Sequence, residues 1–231
     1  MQAKQVLLTG GTGGLGQGVI PVLLAQGAEL TVPYRRVAKV EPLKKQRSPA
    51  ELARLHFVEA DLSDEAAVAE LVEAMPRVDA LIHLVGGFSM GKTHTYDYSD
   101  WKKAFNLNLD TTFLVCKQVL QRMLAQNYGR IVTIGSRGAA QPAAQLAAYS
   151  AAKAGVVALT QAIAQETQGT GITANVVLPS VIDTSANREA MGTDQADQWV
   201  KPTSLAHLIG FLASEAAGDI RGAAIPVYGD A

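Results

Sequence analysis

Ser136, Tyr149 and Lys153 are the residues whose types and spacing point most directly to chemistry. If the segment around them is helical, Tyr149 and Lys153 stand four residues apart on one face, with the ammonium able to lie beneath the phenol. A phenol titrates near about 10, so it exchanges protons poorly at neutral pH until a nearby cation favours its phenolate. Lys153 is placed to be that cation. Ser136 ends the apolar run Ile131-Val132-Thr133-Ile134-Gly135 and could hold a carbonyl oxygen within reach of Tyr149. Proton transfer to an alkoxide needs that geometry.

Spacing alone does not decide. With this tyrosine and lysine content a Tyr-x-x-x-Lys pair arises by chance in roughly one such chain in four, and the chain holds a second pair, Tyr98 and Lys102. The elements around each pair have to choose between them.

The chain opens on an apolar run, Val6-Leu7-Leu8, followed by Thr9-Gly10-Gly11-Thr12-Gly13-Gly14-Leu15-Gly16 and then Val19, Ile20, Leu23 and Leu24 at helical spacing. This reads as strand, glycine turn and helix. Such a turn lets backbone N–H groups and the positive helix N-terminus approach a phosphate, since no Cβ stands in the way. Three registers fit: Gly11/Gly13/Gly16, Gly10/Gly14/Gly16 and Gly10/Gly13/Gly16. After the second strand, Glu29 to Val32, come Arg35 and Arg36 and no acid. In a dinucleotide fold an acid there would bind ribose hydroxyls and an arginine would accept a 2′-phosphate, so NADP is expected, with NAD as the alternative.

Further along, residues 37–54 read as loop with a short helix near 49–54, and His56-Phe57-Val58 as a third strand. Asp61 follows, placed to reach an adenine amino group, and Ser63 is the expected N-cap of the next helix. Val78 to Val85 is a fourth strand stopped by Gly86-Gly87, and His83 within it reads as a buried, hydrogen-bonded histidine. One long helix is expected from Trp101 to Asn127, with Asn106 and Asn108 inside it as poor helix formers. A second runs from Tyr149 to about Gly169, and its alanine-rich stripe suits either a subunit interface or close packing on the sheet. Ile172 to Leu178 is the sixth strand, 183–200 a polar segment able to cover a substrate, and Leu205 to Leu212 a helix. Ala223 to Tyr228 is the seventh strand, with Pro226 best placed at a sheet edge. Phe88, Met90, His94 and Trp101 are expected to shape the substrate pocket.

Composition narrows the class. A net charge of −1 gives no footprint for nucleic acid, and Cys116 as the sole cysteine excludes an intrachain disulfide and a thiolate metal cluster, so no metal is expected. No apolar run reaches membrane-spanning length, and no signal peptide is visible, which points to a cytoplasmic protein.

Alternating short strands and helices imply a single α/β domain over 1–231, a doubly wound parallel sheet of about seven strands with helices on both faces. Thr9-Gly10-x-x-x-Gly14-x-Gly16, Asp61-Leu62, Asn108-Leu109, Ser136, Tyr149-x-x-x-Lys153, and Asn175 with Pro179 and Thr184 together resemble the classical short-chain dehydrogenase/reductase family, with its Rossmann-type fold. The resemblance implies hydride transfer between a nicotinamide and a carbonyl or alcohol carbon. It makes Tyr149 the acid/base, Lys153 the group that lowers its pKa and binds the nicotinamide ribose, Ser136 the orienter of the substrate oxygen and Asn108 the holder of a relay water. Cofactor contacts are implied at Gly10, Thr12, Gly13, Gly14, Leu15, Gly16, Arg35, Arg36, Asp61, Leu62, Gly86, Tyr149, Lys153, Pro179, Val181, Ile182 and Thr184. It also implies a homodimer or homotetramer joined through the helices near 101–127 and 149–169. Two departures stand out: His83-Leu84-Val85-Gly86 replaces the family's Asn-Asn-Ala-Gly, and Ser180 replaces the glycine after Pro179. A sugar-nucleotide epimerase or dehydratase, and a non-enzymatic nucleotide sensor on the same fold, are the alternatives.

Overall fold

Short runs of apolar and β-branched residues that are buried on both faces form parallel strands, and helices must then cover both sides of the sheet. The computed structural model, which describes residues 1–230, has this architecture. The chain order is β1 (Gln5–Thr9), α1 (Gly14–Ala25), β2 (Glu29–Tyr34), α2 (Val40–Lys45), α3 (Pro49–Leu52), β3 (Leu55–Glu59), α4 (Glu65–Glu73) and β4 (Ala80–His83). It continues through α5 (Tyr98–Phe105), a π-helical turn (Asn106–Asp110), α6 (Thr111–Gln126), β5 (Gly129–Ile134), α7 (Arg137–Ala140), α8 (Ala147–Glu166), β6 (Ile172–Pro179), α9 (Ser185–Met191), α10 (Pro202–Leu212) and β7 (Ala224–Val227).

All strands are parallel, in the order β3-β2-β1-β4-β5-β6-β7. The order reverses between β1 and β4, and ligands of open α/β sheets bind in the crevice at such a switch point, beyond the strands' C-terminal ends. Side chains alternate across the sheet. Val6, Leu8, Ile82 and Val132 pack with α1 and α10, whereas Leu7, Leu81 and Ile131 pack with α4, α6 and α8. β7 is an edge strand, so Pro226 lacks a ladder donor only where the ladder ends.

Three expectations are corrected. The region 37–54 holds two helices, because Pro42 sits in the first turn of α2, where no amide donor is needed, and Val40 and Leu43 anchor that helix in the core. Asp64, not Ser63, caps α4: its carboxylate accepts from Ala66 N and Ala67 N, while Ser63 turns its N–H and hydroxyl to Asp61. The expected long helix is two helices joined by the π-helical turn at Asn106–Asp110. Asn108 drives that break, since its amide bonds the Ala104 carbonyl at 2.9 Å and leaves the helix for Gly87. The hydroxyls of Thr111 and Thr112 then take the Leu107 and Asn108 carbonyls, each at 2.8 Å.

Candidate active site

The site is assembled from the C-terminal ends of β1, β4, β5 and β6. After β1, Gly10 takes φ +70°, and a Cβ there would stand 2.8 Å from the Leu84 carbonyl carbon, so the turn can pass over β4 only as glycine. Gly16 is closed by the backbone of Gly11, and Gly14 by the Thr184 side chain at 2.9 Å. Gly13 is the least crowded, so the register Gly10/Gly14/Gly16 is the one whose three positions all exclude a side chain. Gly13 caps α1, which leaves the first N–H groups of that helix facing the cleft.

That cleft is lined by Gly10, Thr12 and Gly13 from the turn, Arg35, Arg36 and Lys39 after β2, Asp61, Leu62 and Ser63 after β3, and Gly86 after β4. Its shape and its polar lining fit a dinucleotide lying along a helix N-terminus. Asp61 accepts from Ser63 N at 3.0 Å and Ser63 Oγ at 2.7 Å, which holds its carboxyl below the usual range. Arg35 stands 3.9 Å from it. Among the expected contacts, Leu15 and Ile182 turn their side chains into the core, and Val181 gives its carbonyl to Val200 N. Lys39 is a rim cation that sequence reasoning missed. Its spacing of four from Arg35 was the available signal, hidden by the assignment of that stretch to a loop.

Behind the cleft the proton-bearing side chains converge. A Cβ on Gly138 would meet Ser136 Oγ at 3.5 Å and Tyr149 Cε1 at 3.9 Å, which places hydroxyl and phenol side by side. Ser136 also caps α7, accepting from Gly138 N at 3.1 Å. A Cβ on Gly86 would meet Asn108 Oδ1 at 2.8 Å and Lys153 Nζ at 2.9 Å, so the amide and the ammonium flank the same backbone. Asn108 clamps the strand exit from both directions, accepting from Gly87 N at 3.1 Å and donating to Gly87 O at 3.0 Å. Gly87 is a second residue that sequence reasoning left unassigned, although the glycine pair marked the place.

Burial raises the Tyr149 pKa, and only the hydrogen bond with Ser136 opposes that rise. The Lys153 ammonium donates to the Ile134 carbonyl at 2.8 Å. Burial lowers Lys153 itself to about 8. Phe88 adds an apolar wall, its ring 5.2 Å from that of Tyr149 at 62°. Trp101 is not brought to this wall: it lines a separate depression with Tyr96, Tyr98 and Ala147, and His94 lies in an exposed turn. Among the described residues no cluster of His, Cys, Asp and Glu could hold a metal, and no helix is long and apolar enough to cross a membrane.

The family model for short chain dehydrogenases matches residues 4–195. The chain therefore belongs to the short-chain dehydrogenase/reductase family, whose members are oxidoreductases that use a nicotinamide cofactor. It is 32% identical to the acetoacetyl-CoA reductase of Allochromatium vinosum over 98% of each chain. Among solved structures it is similar to a short-chain type dehydrogenase/reductase from Mycobacterium ulcerans, with a TM-score of 0.91 and 26% identity over 100% of this chain and 90% of that one. It is also similar to a variant of actinorhodin polyketide ketoreductase solved with NADPH, with a TM-score of 0.88 and 29% identity over 99% and 98% of the two chains.

Proposed function

We propose that this chain is an NADP-preferring carbonyl reductase or alcohol dehydrogenase in which Tyr149 is the acid/base. The observation that carries the reading is the convergence of Ser136 and Tyr149 at one point while Lys153 and Asn108 flank Gly86. Bound in the cleft, the nicotinamide would supply or accept the hydride. Ser136 Oγ orients the substrate oxygen against the phenol, and Tyr149 gives its proton to that oxygen in reduction and takes it back in oxidation. Burial keeps the phenol above its ordinary pKa, so Tyr149 carries its proton at neutral pH. Lys153, a buried ammonium beside Gly86, binds the ribose in this reading, which its burial and the Asn108 bonds to the neighbouring Gly87 support.

The preference for NADP rests on three rim cations, Arg35, Arg36 and Lys39, against a single acid, Asp61, already engaged by Ser63. We further propose that Thr184 and the α9 segment cover the site, because Thr184 caps α9 and its side chain packs against Gly14 at the start of α1. A homodimer or homotetramer through α5, α6 and α8 is supported by Phe113 and Leu124, 50% and 52% exposed on α6. Light scattering tests that assembly.

The deciding experiment follows the absorbance of NADPH and NADH with a panel of ketones, aldehydes and quinones, and runs the reverse reaction with secondary alcohols. Turnover with NADPH in excess of NADH is expected. Absence of nicotinamide turnover in both directions overturns the reading. Replacing Arg35, Arg36 and Lys39 with Ala should weaken NADPH about tenfold or more and leave NADH unchanged, since charge-assisted bonds to the phosphate are lost. Equal effects on both cofactors remove the case for NADP.

A further inference from the structure

His83 is a buried histidine with one nitrogen engaged and the other free. The residue is 1% exposed, its Nδ1 lies 2.8 Å from Thr9 Oγ1, and its Nε2 has no hydrogen-bond partner among the described residues. The Thr9 bond ties β1 to β4 where the family's asparagines are missing. Buried polar atoms are rarely left unpaired, so the free nitrogen calls for a partner that the protein chain does not provide.

The sheet register shows which way it faces. Thr9, His83 and Thr133 are neighbours across β1, β4 and β5, and register partners in adjacent strands present their side chains to one face. Thr133 Oγ1 lies 2.7 Å from Thr160 Oγ1 of α8, so that face is the one α8 covers. Lys153 is on the same helix, and three residues beyond His83 the backbone of Gly86 abuts both Lys153 Nζ and Asn108 Oδ1. The imidazole therefore stands at the inner end of the Lys153 and Asn108 cluster.

We propose that His83 is a positioning residue for Lys153: carrying its proton on Nδ1 toward Thr9, it offers the Nε2 lone pair, through one buried water, to the Lys153 ammonium. A polar, enclosed site with two or more partners is where such a water is retained. The ring is neutral at physiological pH, since burial first and the Lys153 charge second push His83 down to about 3. A neutral ring has no net charge to act on Lys153, whose own lowering comes from burial. The titratable groups facing Lys153 are Tyr149 from its own helix and His83 from β4. The π-helical turn gives neutral Asn108, and β5 gives the Ile134 carbonyl.

The kinetic half of the test rests on the proposed reductase activity and uses two side chains that each keep half of the imidazole. His83→Asn keeps a polar atom where Nδ1 stands and none at the distance of Nε2. His83→Gln reaches Nε2 and gives up the Thr9 bond. His83→Asn should leave the KM for NADPH within about twofold, lower kcat about tenfold at pH 7 and move the alkaline limb of the pH profile down by about one unit, because an ammonium without its acceptor deprotonates sooner. His83→Gln should recover the limb and most of kcat. An unchanged limb in His83→Asn overturns the proposal, as does a His83→Gln enzyme no better than His83→Asn. The second half needs no turnover. Nitrogen-15 spectra of the histidine-labelled apoprotein should show His83 as the Nδ1–H tautomer, and Lys153→Met should raise its pKa. An Nε2–H tautomer, or a pKa indifferent to Lys153→Met, overturns the proposal even if both His83 variants fail to fold. A chain that turns over no carbonyl or alcohol while passing the spectroscopic test sinks the reductase reading alone.

Discussion

Two Tyr-x-x-x-Lys pairs with identical spacing occupy helices of this molecule, and their surroundings make them different objects. Tyr98 opens α5 and is 72% exposed, and Lys102 lays its ammonium over the ring, 4.9 Å from the centroid. This is a surface cation–π contact, worth about 0.5–1 kcal/mol with water open to both groups. Tyr149 is half-buried beside Ser136 and the Phe88 ring, and Lys153, 4% exposed, donates to the Ile134 carbonyl. Helical spacing brings a phenol and an ammonium together in either place. Proton transfer to a substrate oxygen requires in addition a third group to fix that oxygen, and only the second pair has a serine beside its phenol.

The comparison is broken most directly at the phenol. Tyr149→Phe should lower the rate of carbonyl reduction by about 10³-fold or more, the range for losing a positioned proton donor, while NADPH binding measured by fluorescence titration persists. Tyr98→Phe should leave the rate unchanged. Comparable losses in both, or none in either, would mean that burial is not what separates the pairs.

Next come the lysines. Lys153→Met should cost about 10²-fold or more in kcat/KM and Lys102→Met nothing measurable, because only the first is a desolvated charge in the site. The sign of the pH dependence follows from the lowered pKa of Lys153. Its ammonium loses its charge as pH rises through about 8, so reduction should fall above that pH. In unfolding experiments the unfolded chain holds this proton more tightly between about 8 and the ordinary 10.5, so stability should rise with pH across that window. Lys153→Met should flatten the rise, and an unaltered slope would place the charge elsewhere.

Smaller effects should follow at the supports. Asn108→Ala removes three hydrogen bonds around the π-helical turn and should lower stability by about 1–3 kcal/mol, read from denaturant midpoints, with a loss of activity that exceeds any change in the KM for cofactor. The smallest belongs to the exposed pair: Lys102→Ala should change stability by less than about 1 kcal/mol, a near-null result that calibrates the other three.

Much of this was legible in the sequence for local reasons. The strand, glycine turn and helix at the N-terminus announce themselves because a glycine-rich turn after an apolar run has few other uses, and Pro226 marks an edge because it cannot donate to a ladder. What escaped depended on distant partners. Asn108 reads as a weak helix residue until Gly87, 21 residues earlier, takes its amide and breaks the helix. Asp64 and Ser63 are equally good caps on paper, and the choice falls to Asp64 because Asp61 draws Ser63 away. Lys39 and α2 were concealed by a proline that reads as a helix breaker but occupies a first turn.

The sequence by itself determined which groups exist and the order of strand, glycine turn and helix that carries them, since each follows from residue type and from contacts a few residues apart, while it left three glycine registers open. Only the tertiary structure decided how differently the two tyrosine–lysine pairs are surrounded, with Lys153 buried and Tyr98 exposed. Burial belongs to the layers packed around a residue: Ile134 reaches Lys153 across 19 residues and Thr9 reaches His83 across 74, and no local pattern encodes those meetings.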